Sequence, residues 1–265
     1  MAFSAGSILP ALAAAVPLLL TASTAHAQDI FEIQVYDSQV ATPMRPGIET
    51  HLNYTTTRET ARNGAGELPT DGVGRITFEP HLGLTPWAEA GMYFITAIRP
   101  EGAFDFVGAK LRLKVRWPER LLGETLGLSL NQEIGFVSSE YEASRVAWEI
   151  RPIIDFRYRW FYASFNPIIG VDLAGGSAGQ VEAEPALKVA LSPLPWLAIG
   201  PEYFAGLGPL FAFSPVSEQS HWLFGALDFS GQNRTISWDV NVALGHGLIG
   251  PDDWILKAIV GIDLN

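Results

Sequence analysis

The sequence has no cysteine, little charge and, beyond its first 27 residues, no long apolar run. The missing thiols exclude disulfides, thiolate metal centres and cysteine nucleophiles. Charged residues make up 17% of the 265-residue chain. Soluble domains carry about 25%, so the shortfall implies a second apolar surface besides a core. Positive charge is the scarcer sign: 17 Lys+Arg face 28 Asp+Glu, a net charge of −11. So acidic a surface repels polyanions and argues against a nucleic-acid partner. Phosphate loops and dinucleotide fingerprints are also missing, and "GGSAGQ" follows no βα pattern, so no cofactor is expected. No apolar stretch of about 18 residues follows residue 27, so no membrane helix is expected there.

Residues 1–27 hold no Lys, Arg, Asp or Glu, and "ILPALAAAVPLLL" is followed by Ala25-His26-Ala27. An apolar core ending in a small-x-small tripeptide is the pattern of a cleaved export signal, and Pro10 and Pro17 oppose a spanning helix. The expected organisation is a signal peptide at 1–27, a short N-terminal periplasmic or lumenal segment at 28–46, and one domain at 47–265.

Over that domain apolar and polar residues alternate with period two in twelve segments: 47–57, 73–84, 87–98, 104–117, 125–138, 145–158, 160–173, 180–191, 196–207, 221–230, 234–246 and 253–264. Strands of soluble proteins average about 5–6 residues, whereas a tilted membrane strand needs about 9–11. "KLRLKVRW" (110–117) is the sharpest case, with four cations opposite Leu111, Leu113 and Val115. Short connections ("TP" at 85–86, "SPLP" at 192–195, "SGQN" at 230–233) alternate with long ones (57–72, 208–220). Short turns on one rim and longer loops on the other mark a transmembrane barrel. The fold class expected is therefore all-β: a closed, antiparallel, up-and-down transmembrane β-barrel of about 12 strands, within a range of 10–14. Trp87, Trp117, Trp160, Trp196, Trp222 and Trp254 fall near strand ends and are expected as interfacial anchors.

The export signal, the "FEIQVY" opening (31–36) and the "GLTPWAEAGMYF" hairpin (83–94) resemble bacterial outer-membrane β-barrel proteins, in particular porin-like and transport barrels. The resemblance covers nearly the whole mature chain. It implies a bacterial outer-membrane location, with the lipid bilayer and the outer-membrane assembly machinery as partners. The chain departs from the group at its last residue, Asn265, where such barrels commonly carry an aromatic.

In a barrel the polar face of each strand lines the lumen. The expected basic wall is Lys110, Arg112, Lys114, Arg116, Arg151 and Arg157; the expected acidic positions are Glu49, Glu79, Glu89, Glu133, Glu149, Asp155, Glu182, Glu184 and Glu202. His51 and His81 fall on adjacent strands facing the lumen, and a metal site or a lipase-like Ser/His pair could be built from them. No His-x-x-x-His or Gly-x-Ser-x-Gly spacing supports either, so neither a metal nor catalytic residues are expected. The leading expectation is a narrow passive channel for small polar or anionic solutes. The alternatives are a non-conducting structural or adhesin barrel, an outer-membrane acyl hydrolase, and a soluble periplasmic β-protein that binds an apolar ligand.

Overall fold

A computed structural model describes residues 29–56, 61–62, 66–250 and 254–265. The expected signal peptide at 1–27 and parts of the 57–72 connection lie outside the described residues.

The strands are β1 (Pro46–Thr56), β2 (Gly74–Thr85), β3 (Ala88–Ile98), β4 (Phe104–Arg116), β5 (Leu126–Val137), β6 (Ser144–Tyr158), β7 (Phe161–Asn166), β8 (Ile169–Gly175), β9 (Val181–Ala183), β10 (Ala186–Leu194), β11 (Leu197–Gly206), β12 (Ser220–Gln232), β13 (Ile236–Ile249) and β14 (Trp254–Leu264). Neighbouring strands of the wall pair antiparallel, and β1 pairs with β14, so the sheet closes on itself. β7 and β8 both pair with β6 and form one wall strand broken at 167–168, while β9 and β10 form its neighbour, broken at 184–185. The wall therefore has twelve strands. Each break carries a proline, Pro167 or Pro185, which has no N–H for the ladder.

The pleat decides which side faces what. On β4, Leu111 and Leu113 are 55% and 43% exposed, while Lys110, Arg112 and Lys114 are 8%, 5% and 4% exposed. The cations point into the barrel and the aliphatics point out. The outer face continues this pattern with Leu52, Phe78, Phe94, Ile134, Ile154, Leu187, Leu227 and Leu256, all exposed. Such a continuous apolar band is stable only against lipid. A one-residue slip would turn every strand inside out, and each Arg or Lys placed at the bilayer midplane would cost about 2–4 kcal/mol. Trp87, Trp117, Trp160, Trp196 and Trp254 lie exposed at strand ends, as interfacial rings do.

The short turns gather at one rim, called here the near rim. At one of them Arg159 adopts φ 57°, which permits the abrupt reversal between Tyr158 and Phe161. The longer connections lie at the opposite, far rim. The closed barrel, its lipid-facing belt and this asymmetry of turns are those of a bacterial outer-membrane protein.

Candidate functional site

The lumen is the candidate site, and it is occupied by the chain itself. Residues 29–45 leave the far rim, descend through the barrel and join β1 at the near rim. At the far end Phe31 packs with Val73, Tyr93, Ile95, Ala97, Val107 and Val137. In mid-lumen the Tyr36 backbone N–H donates to Asn166 Oδ1 at 2.8 Å, and the Ser164 hydroxyl donates to the Tyr36 carbonyl at 2.5 Å. Further down, the Ser38 N–H donates to Asp155 at 2.6 Å and the Ala41 N–H to Glu89 at 2.5 Å. At the near end Pro43 bridges Gly83, and the Met44 N–H donates to the Gly83 carbonyl at 2.8 Å. A side chain at Gly83 would meet the Thr42 carbonyl at 2.2 Å, so only glycine admits the segment there. Seventeen extended residues reach roughly 56–61 Å, enough to cross the roughly 30 Å hydrocarbon thickness.

The segment alternates as the wall does. Ile33 and Val35 turn to one side, against Ile168, Ala186, Phe204, Trp222, Phe224, Ala226, Ala243 and Ile255. Asp29 and Glu32 turn to the other side, against Lys110. The lumen is thus uneven: β1–β6, called here the charged half, carry most of its ion pairs, while β10–β14, called here the apolar half, add an inward patch of aliphatic and aromatic residues to the Lys188–Glu202–Lys257 cluster. The alternation predicts only a polar lumen; the apolar half is a correction. It arises because β11–β14 carry aromatic or aliphatic residues on both faces, so their period-two signal is weak. Trp222 belongs to this half: it points inward and is buried, not interfacial as its position near a strand end predicts.

The charged half holds most of the expected residues. Arg112 lies 2.7 Å from both Glu79 and Glu89. Lys110 contacts Asp29 and lies 3.6 Å from Glu32 and Glu133. Arg151 binds Glu149 at 2.6 Å and donates to the Gln34 carbonyl at 3.2 Å. Its guanidinium stands over the Tyr36 ring, 4.5 Å from the centroid. Lys114 lies 3.9 Å from Asp37. Arg116 meets Gln39 at 3.1 Å near the near rim, and Arg157 lies 3.7 Å from Asp37 with its side chain 56% exposed. Asp155 takes Arg120 at 2.5 Å. Glu202 lies across the lumen between Lys188 (2.9 Å) and Lys257. Glu182 and Glu184 sit half-buried by the break between β9 and β10. Basic and acidic side chains therefore interleave, on β1–β6 and again at Lys188, Glu202 and Lys257, so the expected basic wall is lined with acids.

Several lumen residues escaped the sequence reading, among them the acids of the threading segment (Asp29, Glu32, Asp37), the buried Arg75, which stands 5.5 Å over the Phe31 ring, and Arg120 in a near-rim turn. The signal for the first was present, since Phe31, Ile33 and Val35 alternate with Glu32, Gln34 and Tyr36. The Tyr36 hydroxyl donates to the Glu32 carboxylate at 2.5 Å.

His81 pairs with Asp263 at 2.7 Å, His221 with Tyr203 at 2.5 Å and Gln219 at 2.9 Å, and His246 stacks on Trp254. His51 lies between Glu79 at 3.3 Å and Glu49 at 3.8 Å.

No family model matches the chain, and no curated protein does. Solved structures do. An outer-membrane channel from Pseudomonas putida F1 superposes with a TM-score of 0.57 at 11% identity, covering 88% of this chain and 100% of that one. The NanC porin gives 0.51 at 7% identity, covering 82% and 99%. The KdgM porin, solved in complex with disordered oligogalacturonate, gives 0.50 at 8% identity, covering 83% and 98%. The fold of this chain is that of outer-membrane porins and channels.

Proposed function

We propose that the protein is an outer-membrane channel for small polar or anionic solutes, closed at rest by residues 29–45. The observation that carries this reading is where the segment's acids lie: Asp29 and Glu32 are seated against Lys110, so the wall already binds carboxylates presented from within the lumen. A solute bearing carboxylates would meet the same cations once the segment is displaced. The protein does no chemistry in this reading. In support, among the described residues His51 and His81 face carboxylates, His221 meets Tyr203 and Gln219, and His246 stacks on Trp254. The bilayer and the assembly machinery are its partners.

Ion preference tests it. The barrel lacking residues 29–42, refolded in a planar bilayer under a salt gradient, is expected to show unitary currents that favour anions. Lys110→Glu with Arg112→Glu is expected to move the reversal potential toward cations. A folded, truncated barrel without unitary conductance would overturn the channel reading.

A further inference from the structure

The strand register builds a cluster that histidine spacing does not announce. Glu49 on β1 and Glu79 on β2 are direct cross-strand partners, and both point into the lumen. Like charges in that relation repel unless a cation lies between them. Arg112 answers only part of this, because it binds Glu79 through Oε1 at 2.7 Å and leaves Oε2 facing His51. His51 is fully buried; its Nε2 points at the two carboxylates, and its Nδ1 has no hydrogen-bond partner. One ligand atom from each of Glu49, His51 and Glu79 falls within 4.8 Å of the others.

We propose that Glu49, His51 and Glu79 form a divalent-cation site in the lumen, seated against the threading segment. The geometry suits it. Around an ion at about 2.1 Å from each ligand, neighbouring ligand atoms stand about 3–3.5 Å apart. Here Nε2 is 3.3 Å from Glu79 Oε2 and 3.8 Å from Glu49 Oε2. Glu49 is 23% exposed and has room to close the longer edge by a χ rotation. Arg112 then acts from outside the ligand set, fixing Glu79 so that it offers one oxygen. The nearby charge favours a cation too. Asp239 and Glu49 are both partners of Gly261, and with no side chain there Asp239 reaches across toward Glu49. One imidazole with two carboxylates suits zinc or manganese better than magnesium or calcium, which prefer all-oxygen ligands. Gln34 of the segment donates to Glu49 Oε2 at 3.1 Å, so an ion held here would also tie the segment to the wall.

This site does not depend on conduction, and its test needs none. Untagged, refolded full-length protein, stripped with EDTA, is titrated with Zn2+ by calorimetry and with Co2+ by visible absorption. One saturable site is expected, with a Co2+ band that Zn2+ displaces. His51→Gln and Glu49→Gln are each expected to weaken binding about ten-fold or more, as loss of a ligand does. His246→Gln, at the far rim, is expected to leave it unchanged. If His51→Gln fails to fold, Glu49→Gln still decides, because it alters a partly exposed lumen side chain. No saturable binding to the folded wild-type barrel would overturn the proposal, as would equal affinity in Glu49→Gln.

Discussion

At the scale of the residue, Arg112 shows how this lumen is held together. A guanidinium buried between two carboxylates at 2.7 Å is costly to disturb from one side only. Removing one partner of a buried pair strands the others, at about 3–5 kcal/mol. Arg112→Leu is therefore expected to lower barrel stability in urea by about that amount, while Arg116→Ala at the near rim shifts it by less than about 0.5 kcal/mol. The outward neighbour behaves differently: Leu111→Arg puts a cation into lipid and is expected to cost about 2–4 kcal/mol. If the two faces of β4 responded alike, the assigned pleat would be wrong. That pleat was legible in "KLRLKVRW", where strict alternation separates two faces and membrane-length strands assign the polar one to the lumen. The identity of each cation's partner was less so. Glu89 and Glu133 follow from neighbouring strands, but Asp29 lies 81 residues away on a segment with no assigned strand.

At the scale of the element, the 29–45 segment sets what the barrel can do. Its docking is carried by backbone donors meeting wall carboxylates and by Ile33 and Val35 meeting the apolar half. Ser38 docks against Gly127: a Cβ at 127 would stand 2.0 Å from the Ser38 hydroxyl and 2.8 Å from Asp155, so the segment fits there only beside a residue without a side chain. Gly127→Val is therefore expected to push the segment off the wall at that level and to raise the open probability in planar bilayers. An open probability equal to the wild type's in folded Gly127→Val would contradict this docking. Docking at the far rim also depends on pH. Burial, with Asp29 next in effect, pushes the Glu142 carboxyl up to about 8 from its ordinary 4.5. A carboxyl raised in the docked state favours docking when protonated. Its contribution is complete below about pH 4.5 and disappears as pH rises through about 8. The urea midpoint of the wild type is therefore expected to fall more steeply between pH 5 and 9 than that of Glu142→Gln; equal slopes would contradict the assignment. Sequence alone placed this segment as periplasmic or lumenal and went no further. Its alternation matches a strand, and nothing local distinguishes a strand in the wall from one threaded through it.

At the scale of the molecule, twelve strands leave an interior between the filled core of about eight and the open channel of 16–18. Here the balance is met by inserting one extra extended strand of chain. Strand number, strand faces and rim asymmetry were legible because membrane thickness fixes strand length and lipid fixes one face. The apolar half was not, because Phe204, Phe224 and Ile255 face inward from strands whose outer face is apolar as well. The refolded protein is expected to migrate differently in gels before and after boiling, since closure of β1 on β14 leaves no edge from which detergent can unzip the sheet.

The most direct test is single-channel recording of the mature barrel beside one lacking residues 29–42, in the same bilayer and salt. The expected result is a closed or rarely open mature barrel and a persistently conducting truncated one. Equal conductance in the two, or none from a truncated barrel that still shows heat-modifiable mobility, would contradict a channel closed by its own N-terminal segment.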